Sequence, residues 1–82
     1  MILIKTMKKL FLSELKISEK GKIISFLDPD ISDKLLEMGC LPGEIILVKQ
    51  IAPFDGPMII EVCDYLIGLR RSEARYIEIE KV

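Results

Sequence analysis

Apolar and polar residues alternate with a period of two over much of the chain, which is the pattern of strands with one buried face. The last such segment is the clearest, because Ile77 and Ile79 alternate with Glu78 and Glu80. The others are short apolar runs bounded by Gly, Pro and Asp residues, which favours strands over helices. The pattern predicts five strands, at residues 22–27, 44–51, 58–62, 65–69 and 76–80.

One segment departs from this pattern and shows the period of a helix. Ile31, Leu35 and Met38 recur at positions i, i+4 and i+7, so they share one face of a short α-helix. Asp30 is placed to cap its first turn, since a carboxylate there can accept free backbone N–H groups. Gly39 can end the helix, because glycine adopts positive φ without steric cost.

Short turns are predicted between these elements. Pro42 and Gly43 occupy the central positions of a type II turn, where proline fixes φ and glycine accepts positive φ. The two residues 63–64 separate neighbouring strands, which is the spacing of a tight hairpin. Residues 70–74 form a single helical turn before the last strand, and residues 12–15 form another short turn.

The order of elements indicates a mostly β fold. It predicts a small, partly open barrel of five strands, with one short α-helix inserted after the first strand and a short helical turn before the last. A chain of 82 residues is near the lower limit for a self-sufficient core, so we expect a single domain. We assign it to residues 10–82 and treat residues 1–9 as an N-terminal extension whose order is left open, with Met7 as an alternative start.

The charge balance bears on the partners of the chain. Twelve lysines and arginines stand against thirteen acids, a net charge of −1, so the positive excess that phosphate backbones attract is lacking. We therefore expect no nucleic acid partner. No apolar run approaches the ~20 residues that span a bilayer, and the N-terminus lacks the apolar stretch of a signal peptide, so we expect a cytoplasmic protein without membrane insertion.

The sequence predicts no catalytic, cofactor or metal site. It contains no histidine, so general base catalysis near neutral pH would need a strongly shifted carboxylate, lysine or thiol. Its glycines form no phosphate-binding loop. Asp28, Asp30 and Asp33 surround a helix start, where acids serve as caps and dipole partners, although a weak, adventitious metal site stays open. Cys40 and Cys63 lie outside any CxxC pattern and are interpreted as reduced thiols with a packing role.

Without catalytic groups, the chain is expected to act by docking onto another protein. Arg70, Arg71 and Arg75 form its one basic cluster, which is either a docking face for an acidic partner or a solvated turn. Phe54 and Met58 lie at the edges of a loop bounded by Pro and Gly residues. They are either exposed anchors or core residues, with the core role favoured for Met58.

The segment LLEMGCLPG, at residues 35–43, resembles the L-x-x-M-G-L-x-P-G signature of the FeoA family, small cytosolic proteins of bacterial ferrous iron uptake. The family order continues in LSEL at residues 12–15, in the AP and GP pairs of the mid loop, and in LRRSEA at residues 69–74. The resemblance covers nearly everything from residue 12 to residue 80. Three departures affect local packing and turn geometry rather than the fold: Cys40 stands in place of Leu, Asp64 in place of Gly and Gly68 in place of Ala.

The resemblance implies an SH3-like β-barrel, which agrees with the predicted order of strands. It also implies an accessory or regulatory protein that binds the cytoplasmic GTPase region of the FeoB ferrous iron transporter, at the inner face of the membrane. The signature residues have structural reasons to be present, since they stop the helix, make the turn or fill the core: Gly39, Pro42, Gly43 and Leu69. The residues expected to contact the partner are Met38, Leu41, Pro42, Pro53, Phe54, Pro57 and Arg70.

Two further interpretations stay open. The same barrel resembles the C-terminal domain of iron-dependent repressors, so the chain could be a metal-linked regulatory module, although no helix-turn-helix precedes the barrel in this sequence. The chain could also form a homo-oligomer, through barrel edges or through the loop that carries Phe54. Whether it activates or restrains its partner is not decided by the sequence.

Overall fold

Six strands form one antiparallel sheet in the computed structural model, which describes residues 9–82. The predicted N-terminal extension, apart from Lys9, lies outside the described residues. The strands are β1 (Leu10–Phe11), β2 (Lys20–Phe26), β3 (Ile45–Ile51), β4 (Met58–Val62), β5 (Tyr65–Leu69) and β6 (Ile77–Lys81). The helices are α1 (Pro29–Glu37), α2 (Arg71–Ala74) and a 3-10 helix at Leu12–Glu14.

The strands lie side by side in the order β1-β6-β2-β3-β4-β5. The sheet is not closed, since β1 and β5 stand at its two edges, and the predicted mostly β, partly open architecture is confirmed. All five predicted strands are present, and the structure adds β1, in which Leu10 lies opposite Ile79 of β6. A strand of two residues cannot display a period of two, so the pattern of the sequence could not predict it.

The core lies on one face of the sheet. In β4, Met58, Ile60 and Val62 are buried while the residues between them are partly exposed, as the alternation of side chains along a strand requires. Leu12 of the 3-10 helix and Leu35 of α1 join the same apolar cluster. The core role favoured for Met58 is thus confirmed, because none of its side chain reaches solvent.

Helix α1 begins earlier than predicted. Its N-cap is Asp28, whose carboxylate accepts a hydrogen bond from the backbone N–H of Asp30 at 2.8 Å. The prediction that Asp30 caps the helix is therefore wrong. Pro29 suits the first helical position, because its φ is preset and the N–H that it lacks would have had no partner there. Asp30 lies in the first turn, where its charge favours the helix dipole.

The C-terminal end of α1 is a Schellman motif. Gly39 has a φ of 79° and donates its N–H to the carbonyl of Leu36 at 2.9 Å. The N–H of Cys40 reaches the carbonyl of Leu35, also at 2.9 Å. These two bonds satisfy carbonyls that a helix end otherwise leaves free, and the predicted stop at Gly39 is confirmed.

The two predicted tight turns are also confirmed. Gly43 has a φ of 101°, and Glu44 donates its N–H to the carbonyl of Leu41 at 3.1 Å, as in a type II turn. Between β4 and β5, Cys63 and Asp64 have φ values of 52° and 66°. Positive φ at both central residues is the requirement of a type I′ hairpin turn.

Candidate docking surface

An apolar groove of about 230 Å³ lies between α1 and β5. Helix α1 lines it with Ile31, Leu35 and Met38, the residues that share its apolar face, and β5 lines it with Ile67 and Leu69. Within the described part of the chain, β5 hydrogen-bonds only to β4. The groove is therefore bordered by a strand edge whose outward backbone groups are free to pair.

One ion pair bridges the rim of this groove. The ammonium of Lys34 lies 3.3 Å from a carboxylate oxygen of Glu73, which joins α1 to α2. The other oxygen of Glu73 accepts a hydrogen bond from the backbone N–H of Arg70 at 3.0 Å. That hydrogen bond is the main cause that lowers the pKa of Glu73. Desolvation acts in the opposite direction, and Lys34 lowers the pKa further. Lys34 and Glu73 are thus paired with each other, and Glu37 is the remaining charged residue of a lining that is otherwise apolar apart from Gly68.

Three of the residues predicted to bind a partner lie together at the C-terminal end of α1. Met38 lines the groove and is 38% exposed, Leu41 is 52% exposed, and Pro42 is exposed beside it. We call Met38, Leu41 and Pro42 the helix-end patch. The β4–β5 turn is adjacent, because the sulfur of Cys63 lies 3.9 Å from the carbonyl oxygen of Gly39.

Three more predicted residues lie in the loop between β3 and β4. Pro53 and Pro57 are exposed, and Phe54 is fully exposed with a φ of 57°. The loop is held by hydrogen bonds from the N–H of Ala52 to the carbonyl of Pro57 and from the N–H of Gly56 to that of Pro53. We call Pro53, Phe54 and Pro57 the loop patch. A large apolar ring held in this way in solvent is an unusual placement for an aromatic residue.

The sheet register separates the two patches. Met58, which follows the loop, lies opposite Leu69, while the hairpin turn beside the helix-end patch is at the other end of β4 and β5. Five residues of strand therefore lie between them, roughly 13 Å at 3.3 Å per step. Arg70 follows Leu69 and so lies at the same end of the sheet as the loop patch. The predicted contact residues form two patches with the groove between them, rather than one continuous surface.

Sequence reasoning missed the contribution of β5. Ile67 lines the groove, and on the other face of the same strand Leu66 is 68% exposed. The available signal was the sequence YLIGL, which is apolar at consecutive positions where a strand with one solvated face should alternate. β5 is therefore an edge strand with an apolar residue on each of its two faces.

The remaining candidate features of the sequence are placed as follows. Arg70, Arg71 and Arg75 are all exposed around α2, so the choice between docking face and solvated turn stays a prediction. Across residues 9–82, no three side chains of His, Cys, Asp or Glu gather into a group that could hold a metal ion. None of the helices in that range has the length and apolarity needed to cross a membrane.

Comparison with known sequences gives a family. A model of the FeoA domain matches residues 11–81. A protein of Porphyromonas gingivalis, in which Fe(2+) transport protein A is fused to the Fe(2+) transporter FeoB, is 36% identical over 72 residues, or 87% of this chain. The chain spans 8% of the length of that fusion protein.

Comparison with solved structures confirms the SH3-like fold. The FeoA of Stenotrophomonas maltophilia, complexed with zinc and described as a prokaryotic SH3 domain protein, matches with a TM-score of 0.75 and 26% identity, over 87% of this chain and 89% of the other. A manganese-dependent transcriptional repressor matches with a TM-score of 0.78 and 15% identity, over 96% of this chain and 45% of the other. At that identity, the likeness to the repressor concerns the fold alone.

Proposed function

The chain belongs to the FeoA family, and from this premise we propose that it is a non-catalytic accessory protein of ferrous iron uptake that binds the cytoplasmic GTPase region of a FeoB transporter. The proposed contact site is the groove between α1 and β5, flanked by the helix-end patch and the loop patch. The proposed location is the cytoplasmic face of the membrane, where such a region would be reached. The observation that carries the proposal is the exposed apolar groove beside a free strand edge.

The choice of partner is supported by the fused relative. In the Porphyromonas gingivalis protein, the part similar to this chain and the transporter are one polypeptide. A covalent link raises the effective concentration of one module around the other to the millimolar range for short flexible linkers. Fusion is therefore useful to two modules that meet, and a separate chain of the same family would need its own affinity to reach the same state.

The geometry of the groove favours an extended partner segment. Such a segment can pair with the free edge of β5 through its backbone, while every second side chain points into the groove. Met38 and Ile67, the more exposed apolar residues of the lining, would then contact those side chains, while Ile31 and Leu35 form the buried floor of the groove. Burial of apolar surface contributes about 25 cal/mol per Å² before the costs of association are subtracted.

The loop patch supplies a contact of the opposite shape. Phe54 protrudes fully into solvent, so it fits a pocket on the partner rather than a groove. Aromatic and arginine side chains are the residue types that most often dominate binding energy. Phe54 and Arg70, which lie at the same end of the sheet, are thus proposed as a second anchor. The guanidinium of Arg70 would face an acidic group of the partner.

Calorimetric titration of the chain into the cytoplasmic GTPase region of FeoB from the same organism, with and without guanine nucleotide, tests the proposal. We expect saturable binding that Met38→Glu weakens on the order of tenfold or more, because a charge would enter the apolar groove. Leu36→Glu is the matched control, since Leu36 is 43% exposed in the same helix but does not line the groove. Equal weakening by both variants would contradict the proposed site, and no binding in any nucleotide state would contradict the proposed partner.

The alternative, a metal-linked regulatory module, has less support. It rests on a fold likeness to the repressor at 15% identity, and the net charge of −1 does not provide the basic face that direct DNA binding uses. A shift assay with duplex DNA at physiological salt separates the two functions, because only the alternative predicts a DNA complex.

A further inference from the structure

The two cysteines, far apart in the sequence, meet in the fold. Cys40 follows the end of α1, and Cys63 is the first corner of the β4–β5 turn. The thiol of Cys63 lies 3.9 Å from the carbonyl oxygen of Gly39, the residue before Cys40. The side chain of Cys63 also interacts with the thiol of Cys40. The fold therefore brings two sulfur atoms together across the end of the groove.

Both cysteines are held by their backbones. The N–H of Cys40 is bonded to the carbonyl of Leu35 in the Schellman motif at 2.9 Å. Cys63 has a φ of 52°, a conformation that the type I′ turn requires of it. Neither residue can move away from the other without breaking a cap or a turn. The backbones that carry the two sulfur atoms are thus each fixed by local hydrogen bonding or turn geometry.

The burial of Cys40 decides which sulfur chemistry suits this place. Cys40 is fully buried, and desolvation, followed by its contact with Cys63, raises its pKa to about 12. An environment that disfavours a thiolate also disfavours a charged metal dithiolate, whereas a disulfide is neutral and apolar. No third metal-ligating side chain joins the pair among the residues that the structure describes.

We propose that Cys40 and Cys63 are an oxidisable thiol pair that closes into an intramolecular disulfide when the chain meets a peroxide. Cys63 reacts first, because it is only partly buried. Its sulfur attacks the peroxide, the O–O bond breaks, and Cys63 becomes a sulfenic acid as one water leaves. The sulfur of Cys40 then forms the S–S bond by displacing the sulfenic oxygen, and the proton of the Cys40 thiol passes to that oxygen, which leaves as a second water. Two thiols and one hydrogen peroxide thus give one disulfide and two waters, with two electrons passing to the peroxide.

The disulfide would tie the end of α1 to the β4–β5 hairpin. These are the two elements that form the groove, so their separation at that end would become fixed. The oxidation itself does not depend on any partner, and it can be tested on the isolated chain. A failure of this proposal is therefore distinguishable from a failure of the proposed binding to FeoB.

The test is stepwise oxidation of the reduced full chain with hydrogen peroxide, followed by thiol alkylation, intact mass and peptide mapping. We expect a monomer that has lost two hydrogen atoms, resists alkylation and yields a Cys40–Cys63 linked peptide. Its melting temperature should rise on the order of 10 °C, since a crosslink between residues this far apart constrains the unfolded chain. Reduction with dithiothreitol should restore the original melting temperature.

The controls are Cys63→Ser, which keeps the buried thiol, and Cys40→Ala, which keeps the accessible one. We expect peroxide to leave Cys40 unmodified in the first variant and to carry Cys63 to a sulfenic acid in the second, which a sulfenic-acid probe detects. Over-oxidation of Cys63 in the wild-type chain with Cys40 still reduced would overturn the proposal. So would intermolecular dimers as the sole disulfide product, or stoichiometric binding of Cu⁺ by the thiol pair without oxidation under anaerobic conditions.

Discussion

Replacing Gly21 by alanine is expected to destabilise the fold at the junction of β2 and β6. Gly21 is buried, and a Cβ there would lie 2.8 Å from Cδ1 of Ile79 and 3.1 Å from Cβ of the same residue. It would also lie 3.1 Å from Cδ1 of Leu15. The tip of Ile79 can turn aside, but its Cβ is fixed to the backbone of β6, so the strands themselves must shift.

The magnitude follows from two opposing effects. Overpacking of a filled core costs about 1–3 kcal/mol, and the loss of glycine freedom in the unfolded chain returns about 0.4–1 kcal/mol. We expect Gly21→Ala to lower the free energy of unfolding by about 1–2 kcal/mol, which corresponds to a melting temperature lower by roughly 5–10 °C for a domain of this size. Urea titration followed by circular dichroism measures the first quantity, and a thermal scan measures the second.

Gly68→Ala is the matched control in another strand. Its added Cβ would lie 3.6 Å from Cδ1 of Ile59, an ordinary contact, and Gly68 is exposed. Only the effect on the unfolded chain remains, so this variant should be more stable than the wild type by about 0.4–1 kcal/mol. If Gly21→Ala matched or exceeded the stability of the wild type, the close packing of β2 against β6 described above would be incorrect.

Two further predictions concern the helix start and the response to acid. Asp28→Ala should lower the free energy of unfolding by about 1 kcal/mol and Asp30→Ala by clearly less, because only Asp28 caps α1; the reverse order in urea titrations would restore Asp30 as the cap. The pKa of Glu19 is lowered by Lys81 and by the N–H of Lys16, and that of Glu73 by the N–H of Arg70. A carboxyl group whose pKa is lowered in the folded state stabilises the fold above its ordinary pKa of 4.5 and loses that contribution as the pH falls below it. The double variant Glu19→Gln, Glu73→Gln should therefore lose less stability below pH 4.5 than the wild type. Parallel plots of unfolding free energy against pH for the two proteins would refute the assignment.

The parts of the fold that could be predicted are those encoded locally. Gly39 and Gly43 indicate positive φ at their own positions, and the alternation that begins at Ile77 indicates a strand. Each of these signals lies within a few neighbouring residues. The cap of α1 was misplaced for the same kind of reason. Asp28 and Asp30 flank Pro29 and are both good capping residues, so the choice between them depends on whether Pro29 precedes the helix or occupies its first turn, where proline is also favoured.

The parts of the site that could not be predicted depend on pairing between distant segments. Nothing near Phe54 indicates that its loop lies at the opposite end of β4 from the turn beside Met38, because this follows from the register of β4 with β5. The contact between Cys40 and Cys63 is non-local in the same way. Spacing along the chain says which residues could act, and only the register of the sheet says which of them can act together.

The position of β6 between β1 and β2 has a consequence for how the protein acquires its structure. Ile79, in the last strand, pairs with Ile23 on one side and Leu10 on the other. During synthesis, β1 has no strand to pair with until β6 has left the ribosome, while β2, β3, β4 and β5 can already associate through their own antiparallel pairs. Such long-range closure slows folding. Strand β6 thus connects β1 to the rest of the sheet. A nascent chain that was halted before β6 would expose the apolar face that the folded protein buries.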